Sequence, residues 1–353
     1  MRPYTPEDRE QTFHVRAMTY NSGRPIPVEE QVYRSATPYV AEMDGRVVGT
    51  FVVMDMESTR GSAATWKTGG IAGVAVLPEF RQSGVGSAMM TWAIQEMRRQ
   101  GYILASLYAF RESYYRRFGY ENCGMKLKIT CPNHRLPSLR ANLPIRRLNS
   151  DQYALVQDCY EGFARKYSGM NTRKNMHWGR IVNDSRHIYA AGDPVEAYAI
   201  VEHDVAFWED QAIVEVIWNT QAGYESILSV LAGTAINKTN LIWHEPSDSP
   251  FLFRYLDQGV KAQMDRPIMY RIINAEAAWA SVSDEEFPFT IEDQILGQIG
   301  SGGLLISPQE AVQVFLGEPS AADLDHLRGD GSEAWERVQA VLPPSRVYCM
   351  DYF

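Results

Sequence analysis

Hydrophobic positions in this chain follow two periods in turn. Val74 to Leu77 is a short apolar run rich in β-branched residues, and Pro78 stops it, which predicts a buried strand ending at Leu77. Beyond Gly84, the apolar residues Val85, Met89, Trp92, Ala93 and Met97 recur at helical spacing, and Gly101 stands where a C-terminal cap belongs. A helix from about 84 to 100 follows. Upstream, Phe13, Ala17 and Tyr20 fall on one face of a helix running from about Pro6 to Tyr20, and Val28 to Tyr33 reads as a second, short helix. Between Pro38 and Met54, two strand-like runs flank Asp44-Gly45, a strong hairpin signal. The next strand contains the bulge-prone glycines Gly69, Gly70 and Gly73. Leu104 to Phe110 reads as a strand, Arg111 to Glu121 contains a short helix, and Lys126 to Cys131 is expected to close the first sheet.

After the proline-rich segment Pro132 to Pro144, the same order of elements returns. A helical run from Asp151 to Tyr167 leads to a hairpin about Gly192-Asp193, a strand from Ala212 to Trp218 and a helix from Ile227 to Ala235. The texture changes from Met269 onward. Phe287 to Asp293 and Gly303 to Ser307 read as strands, and Ser307 to Leu316 and Ala321 to Leu327 as helices. Ser307, Pro308 and Glu310 make a good helix start, and Val347 to Phe353 is an apolar tail. The expected fold class is α+β with mixed sheets, in three parts: 1–140, 141–268 and 269–353.

Candidate chemistry lies between the first strand and helix singled out above. Arg81-Gln82-Ser83-Gly84-Val85-Gly86 places two residues without a Cβ where the free amides of a first helical turn point outward, and Arg81 adds positive charge. Such a turn binds anions, and a diphosphate suits it because the helix dipole and the unpaired N–H groups act together. The second copy has no basic residue and only Gly223 in the corresponding place, so it is expected not to cradle a diphosphate.

The stretch Val-x-Val-x-Pro-x-Phe-Arg-x-x-Gly-x-Gly, Val74 to Gly86, resembles the pyrophosphate loop of the GNAT superfamily of N-acetyltransferases, which hold acetyl-coenzyme A. The segment from Leu104 through Tyr115 to Phe118-Gly119-Tyr120 is similar to the stretch in which that superfamily carries a tyrosine that protonates the departing thiolate; here that is Tyr115. The three-part arrangement and the C-terminal phenylalanine resemble the enhanced-intracellular-survival (Eis) acetyltransferases. Those join an active acetyltransferase domain, a degenerate one and a sterol-carrier-protein-like domain. The resemblance implies tandem GNAT folds and an acetyl group passed to a primary amine of a cationic acceptor, aminoglycoside-like or a lysine side chain, in an acidic cleft. It also implies a hexamer and a terminal carboxylate, that of Phe353, as general base. Cofactor contacts are expected at Val74, Ala75, Val76, Arg81, Gln82, Ser83, Gly84, Val85, Gly86, Ser87, Phe110 and Arg111. Two departures from the family stand out: Tyr352 precedes the final phenylalanine with Asp351 before it, and Phe110-Arg111 replace a small polar residue.

Bulk properties narrow the picture further. The 353 residues are 45% hydrophobic and 22% charged, a globular composition long enough for two or three domains. A formal charge of −9 argues against a nucleic-acid partner and leaves room for a cationic substrate. Four scattered cysteines form no disulfide framework, and the N-terminus lacks the apolar run of a signal peptide, so the expected setting is the cytoplasm, away from membranes. Cys123, Cys131 and His134 match no paired-ligand spacing, so no metal is expected. The alternative function is a small-molecule-binding or regulatory protein that uses its C-terminal part and has lost catalysis.

Overall fold

A computed structural model of the protein describes residues 1–25, 36–173, 178–203, 205–265 and 268–351. The helix expected at Val28 to Tyr33 lies outside them. The first part runs β1 (Arg2–Pro3), α1 (Arg9–Tyr20), β2 (Ala36–Met43), β3 (Arg46–Arg60), β4 (Ala64–Val76), α2 (Val85–Arg99), β5 (Leu104–Tyr108), α3 (Glu112–Arg116) and β6 (Glu121–Asn122). The second runs β7 (Lys126–Pro132), β8 (Ile145–Leu148), α4 (Gln157–Ala164), β9 (Ser168–Asn171), β10 (Arg186–Ala191), β11 (Ala197–Glu202), β12 (Gln211–Trp218), α5 (Gln221–Thr234), β13 (Asn240–Pro246), α6 (Pro250–Arg254) and β14 (Lys261–Asp265). Then come β15 (Ile268–Ile272), α7 (Ala275–Ala280), β16 (Phe289–Asp293), β17 (Gly297–Ile299), β18 (Leu304–Ile306), α8 (Pro308–Leu316), α9 (Ala321–Arg328) and α10 (Glu333–Val341).

Most local expectations hold because neighbouring residues decide them. Asp44 and Gly45, at φ 48° and 75°, form the left-handed turn that joins β2 to β3 in register Met43 opposite Arg46. Val85, Met89, Ala93 and Met97 are the buried face of α2. Ser307 caps α8 as expected, its hydroxyl accepting from the Glu310 amide while the Glu310 carboxylate accepts from the Ser307 amide. The expected helix from Asp151 to Tyr167 is α-helical only over α4, because the chain first makes a 3-10 stretch from Ser150 to Val156.

Three strands depart from the expected division. Lys126 to Cys131, read as the last strand of the first sheet, is β7 and lies between β13 and β14 in the second. Met269 to Ile272, read as the opening of the third part, belongs to β15, which lies antiparallel between β5 and β6 in the first sheet. The sheets are therefore ordered β1-β2-β3-β4-β5-β15-β6, with β9 of the second part also paired antiparallel to β3, and β8-β10-β11-β12-β13-β7-β14; each has one parallel step, β4 to β5 and β12 to β13. The first sheet thus takes its sixth strand from beyond the second copy, and the second takes its own from the segment that follows the first. β7 alternates polar and apolar residues whereas β15 is buried throughout, and in both cases the pairing is decided by long-range contacts that a local pattern does not encode.

The exchange locks the parts together. Arg271 of β15 is fully buried, donates to the carbonyl of Phe118 and pairs with Asp293 of β16. It thus ties the first part to the three-stranded sheet β17-β16-β18, whose core is closed by α7 to α10. Phe118 follows α3, the helix that carries Tyr115. All four cysteines are buried free thiols. Among the described residues, no helix is long and apolar enough to cross a membrane.

Candidate active site

The site begins with a defect in a strand. On β4, Thr50 of β3 opposes Ala75 and Val52 opposes Ala72, so Gly73 and Val74 together face the single residue Phe51. This is a β-bulge with Gly73 at φ 60°. The parallel ladder between β4 and β5 ends at Ile71 opposite Leu107, just where the bulge bends β4. From Ala72 to Val76 the β5-facing edge of β4 is left without a strand. The carbonyls on that edge are met by side chains: Val74 accepts from the Tyr20 hydroxyl at 2.7 Å, and Val76 from Thr19 at 3.4 Å and the Arg81 guanidinium at 3.2 Å. Because the N–H and C=O of a strand residue point the same way, the Val76 amide faces the same wedge.

The chain leaves β4 through a 3-10 turn, Pro78 to Phe80, and enters α2 through Gln82 at φ 65° and Gly84 at φ 90°, a left-handed conformation that favours glycine at the second position. The first intrahelical bond is from Ala88 to Gly84, at 2.9 Å, so the amides of Val85, Gly86 and Ser87 have no acceptor within their own helix. At Gly86 a Cβ would lie 2.9 Å from the Tyr114 hydroxyl. The missing side chain is what lets that hydroxyl approach the first turn.

Across the wedge, Tyr115 on α3 is only 4% exposed and packs edge-on against Phe110, Tyr114 and Tyr120, with ring centroids 5.6, 5.1 and 6.3 Å away. Burial, and to a lesser degree the Tyr114 hydroxyl, push its pKa well above that of a free phenol. It therefore holds its proton at neutral pH. Arg117 lies over the ring of Tyr114, 4.8 Å from its centroid.

These groups surround one cavity of about 810 Å³. Of the residues expected from the sequence, Val74, Val76, Arg81, Gln82, Gly84, Gly86, Ser87, Phe110 and Tyr115 line it. Ala75 and Val85 instead bury their side chains in the core, and Ser83 is exposed, its hydroxyl donating to the Phe80 carbonyl at 2.7 Å. Arg111 is exposed at the start of α3 and does not line the cavity. Phe353 lies outside the described residues. Thr19, Tyr20, Tyr108, Tyr114 and Arg117 also line the cavity and were not foreseen. Of these, only Tyr114 and Arg117 carried a signal, as neighbours of Tyr115 in the same motif. Among the described lining residues the charged side chains are Arg81 and Arg117, so the acidic cleft expected from the sequence is not formed by them.

The corresponding turn of the second copy is closed. Thr220 caps α5, accepting from the Gly223 amide at 3.0 Å and donating to Glu196 at 2.6 Å, so a carboxylate already stands at that helix end. A Cβ on Gly223 would meet Ala197 at 2.9 Å. The helix start is packed on β11, and its cap already carries a side-chain acceptor.

Residues 1–123 match the family model of the acetyltransferase (GNAT) domain. That GNAT domain holds the strand defect, the loop and Tyr115. The chain is 26% identical over 167 residues to the N-acetyltransferase Eis of Mycobacterium tuberculosis and of Mycobacterium bovis, a stretch covering 45% of this chain and 41% of theirs. The sequence resemblance to the Eis acetyltransferases is thus found again. The whole architecture is similar to a probable N-acyltransferase from Enterococcus faecalis, with TM-score 0.87 and 17% identity, covering 100% of this chain and 98% of that one. It is also similar to Eis1 from Mycobacterium abscessus, with TM-score 0.78 and 16% identity over 99% and 98%. At these identities the likeness is one of fold.

Proposed function

We propose that the chain is an acetyl-coenzyme A-dependent N-acetyltransferase that acts on a primary amine of a cationic acceptor, aminoglycoside-like or a lysine side chain. The observation that carries this reading is the convergence, in one cavity, of a strand edge without a partner strand, a helix start with unpaired amides and a buried protonated tyrosine. The residues fit the cofactor. The amides of Val85, Gly86 and Ser87 would take the diphosphate, with Arg81 and Arg117 supplying positive charge, and the edge of β4 would take the pantetheine arm. The bound cofactor supplies the activated acetyl group.

The chain's own groups have distinct tasks. The Val76 amide would donate to the thioester oxygen as charge develops on it. Tyr115 keeps a proton ready for the leaving thiolate, because burial disfavours its anion. The carboxylate of Phe353 would take the ammonium proton, through water because its reference pKa of about 3.5 makes it a weak base. It would also supply the negative charge toward the acceptor that the described cavity lining lacks. We read 1–140 as carrying the chemistry, 141–268 as the degenerate copy and 269–353 as the sterol-carrier-like part, with β7 crossing into the second sheet and β9 and β15 into the first. The buried free thiols suit the cytoplasm.

Release of free thiol from acetyl-coenzyme A in the presence of a panel of amines tests the activity directly. Calorimetric titration should give one cofactor site per chain, and Gly84→Asp, which puts a side chain and a negative charge on a left-handed residue of the loop, should abolish binding. Two sites, or undiminished binding to that variant, would refute the assignment of the loop. A closed oligomer of six chains is the expected assembly, and a monomer by light scattering at micromolar concentration would overturn it.

A further inference from the structure

We infer that the second, degenerate copy serves as a clamp for the end of the chain, and that Arg173 is the positioning residue that aims the C-terminus at the catalytic cavity through Asp351. The inference rests on the reading of the terminal carboxylate as base.

The tail is laid along β9 by backbone bonds. The Ser168 amide donates to the Arg346 carbonyl at 2.8 Å, and the Tyr348 amide donates to the Ser168 carbonyl at 2.9 Å. The Tyr348 ring packs on Phe163 and Tyr167, with centroids 6.2 and 5.7 Å away. Asp351 then enters the interior of the second copy, its side chain wholly inaccessible to solvent. One of its oxygens accepts from Arg173 Nε at 3.1 Å and Nη2 at 2.9 Å; the other accepts from the Tyr160 hydroxyl at 3.1 Å. Arg173 is itself buried, with Glu215 of β12 on the other side of its guanidinium, 2.9 Å from Nη1, and the ring of Tyr160 beneath it at 3.8 Å. The Tyr198 hydroxyl donates to Glu215.

The backbone of Asp351 faces the other way. Its carbonyl accepts from the Tyr108 hydroxyl at 2.6 Å, and Tyr108 lines the cavity. Thus the side chain of one residue is fixed in the second copy while its backbone is fixed at the edge of the active site. Two residues follow it, a length that spans at most about 7 Å when extended. A segment at a chain end otherwise frays. A single arginine between two buried carboxylates, Glu215 and Asp351, is an expensive arrangement. The same commitment to Arg173 and Tyr160 removes the Asp351 carboxylate as an alternative base.

The test compares Arg173→Gln and Asp351→Ala with the unaltered full chain. Asp351→Ala is the variant that keeps the fold, because it leaves Arg173 paired with Glu215 and leaves the Tyr160 hydroxyl its bond to the Asn171 carbonyl at 2.7 Å. Three quantities are read: cofactor affinity by calorimetry, turnover, and the rate at which a carboxypeptidase removes Phe353 from the native protein. The expected result is unchanged affinity, faster release of Phe353, and turnover lower by about 10²-fold, the usual effect of misplacing a reacting group by about 1 Å. Release of Phe353 at the unaltered rate from folded Asp351→Ala would overturn the clamp. Faster release with undiminished turnover would leave the clamp standing and overturn the terminal carboxylate as base.

Discussion

Tyr115→Phe should lower turnover by about 10²–10⁴-fold, the range usual for loss of a general acid, while cofactor affinity stays within about twofold. The substitution removes only a hydroxyl. The three rings packed against Tyr115 keep a phenyl partner of the same shape, so the fold and the diphosphate end of the cavity, formed by the start of α2, are untouched. The sign of the pH dependence follows from burial. The folded phenol titrates above the ordinary value of 10, so the proton is present across the neutral range and is lost only at higher pH. An alkaline limb due to Tyr115 should therefore begin above pH 10 and vanish in the variant. A turnover loss smaller than about threefold would show that water or another group, with Tyr114 the nearest phenol, protonates the thiolate.

A C-terminal extension should abolish activity altogether, whereas an N-terminal tag on the exposed Met1 should not. Each added residue moves the charge by roughly 3.3–3.6 Å and replaces the terminal carboxylate with an amide that accepts no proton. The described chain end supports the premise, since the bond from Tyr108 holds the Asp351 backbone beside the cavity. Deleting Phe353 alone should have the same effect, because the new carboxylate on Tyr352 falls one residue short. An extended protein that is folded, binds acetyl-coenzyme A and acetylates amines at the unextended rate would dismiss the terminal carboxylate. The base would then have to be sought outside Asp351, whose side chain is enclosed with Arg173 and Tyr160.

The sequence by itself determined what depends on near neighbours. A proline after a β-branched run, two glycines at a helix start and apolar residues at helical spacing specify the loop from Pro78 to Ser87 wherever it is placed, since backbone conformation there is set within a few residues. The same holds for the Asp44-Gly45 turn and the motif around Tyr115. The missing loop near Gly223 was also legible, although its closure by Thr220 and Glu196 was not. Tertiary structure alone decided the rest. Which sheet receives β7 and β15 depends on long-range pairing, whereas the sequence pattern put Lys126 to Cys131 last in the first sheet and opened the third part at Met269. The splaying of β4 from β5, foreshadowed by Gly73, becomes a cavity only when α1 brings Thr19 and Tyr20 to its edge. Arg173 and Asp351 are 178 positions apart, and nothing local to either announces the pair. Their bond forms only where the tail, laid along β9, carries Asp351 into the interior of the second copy.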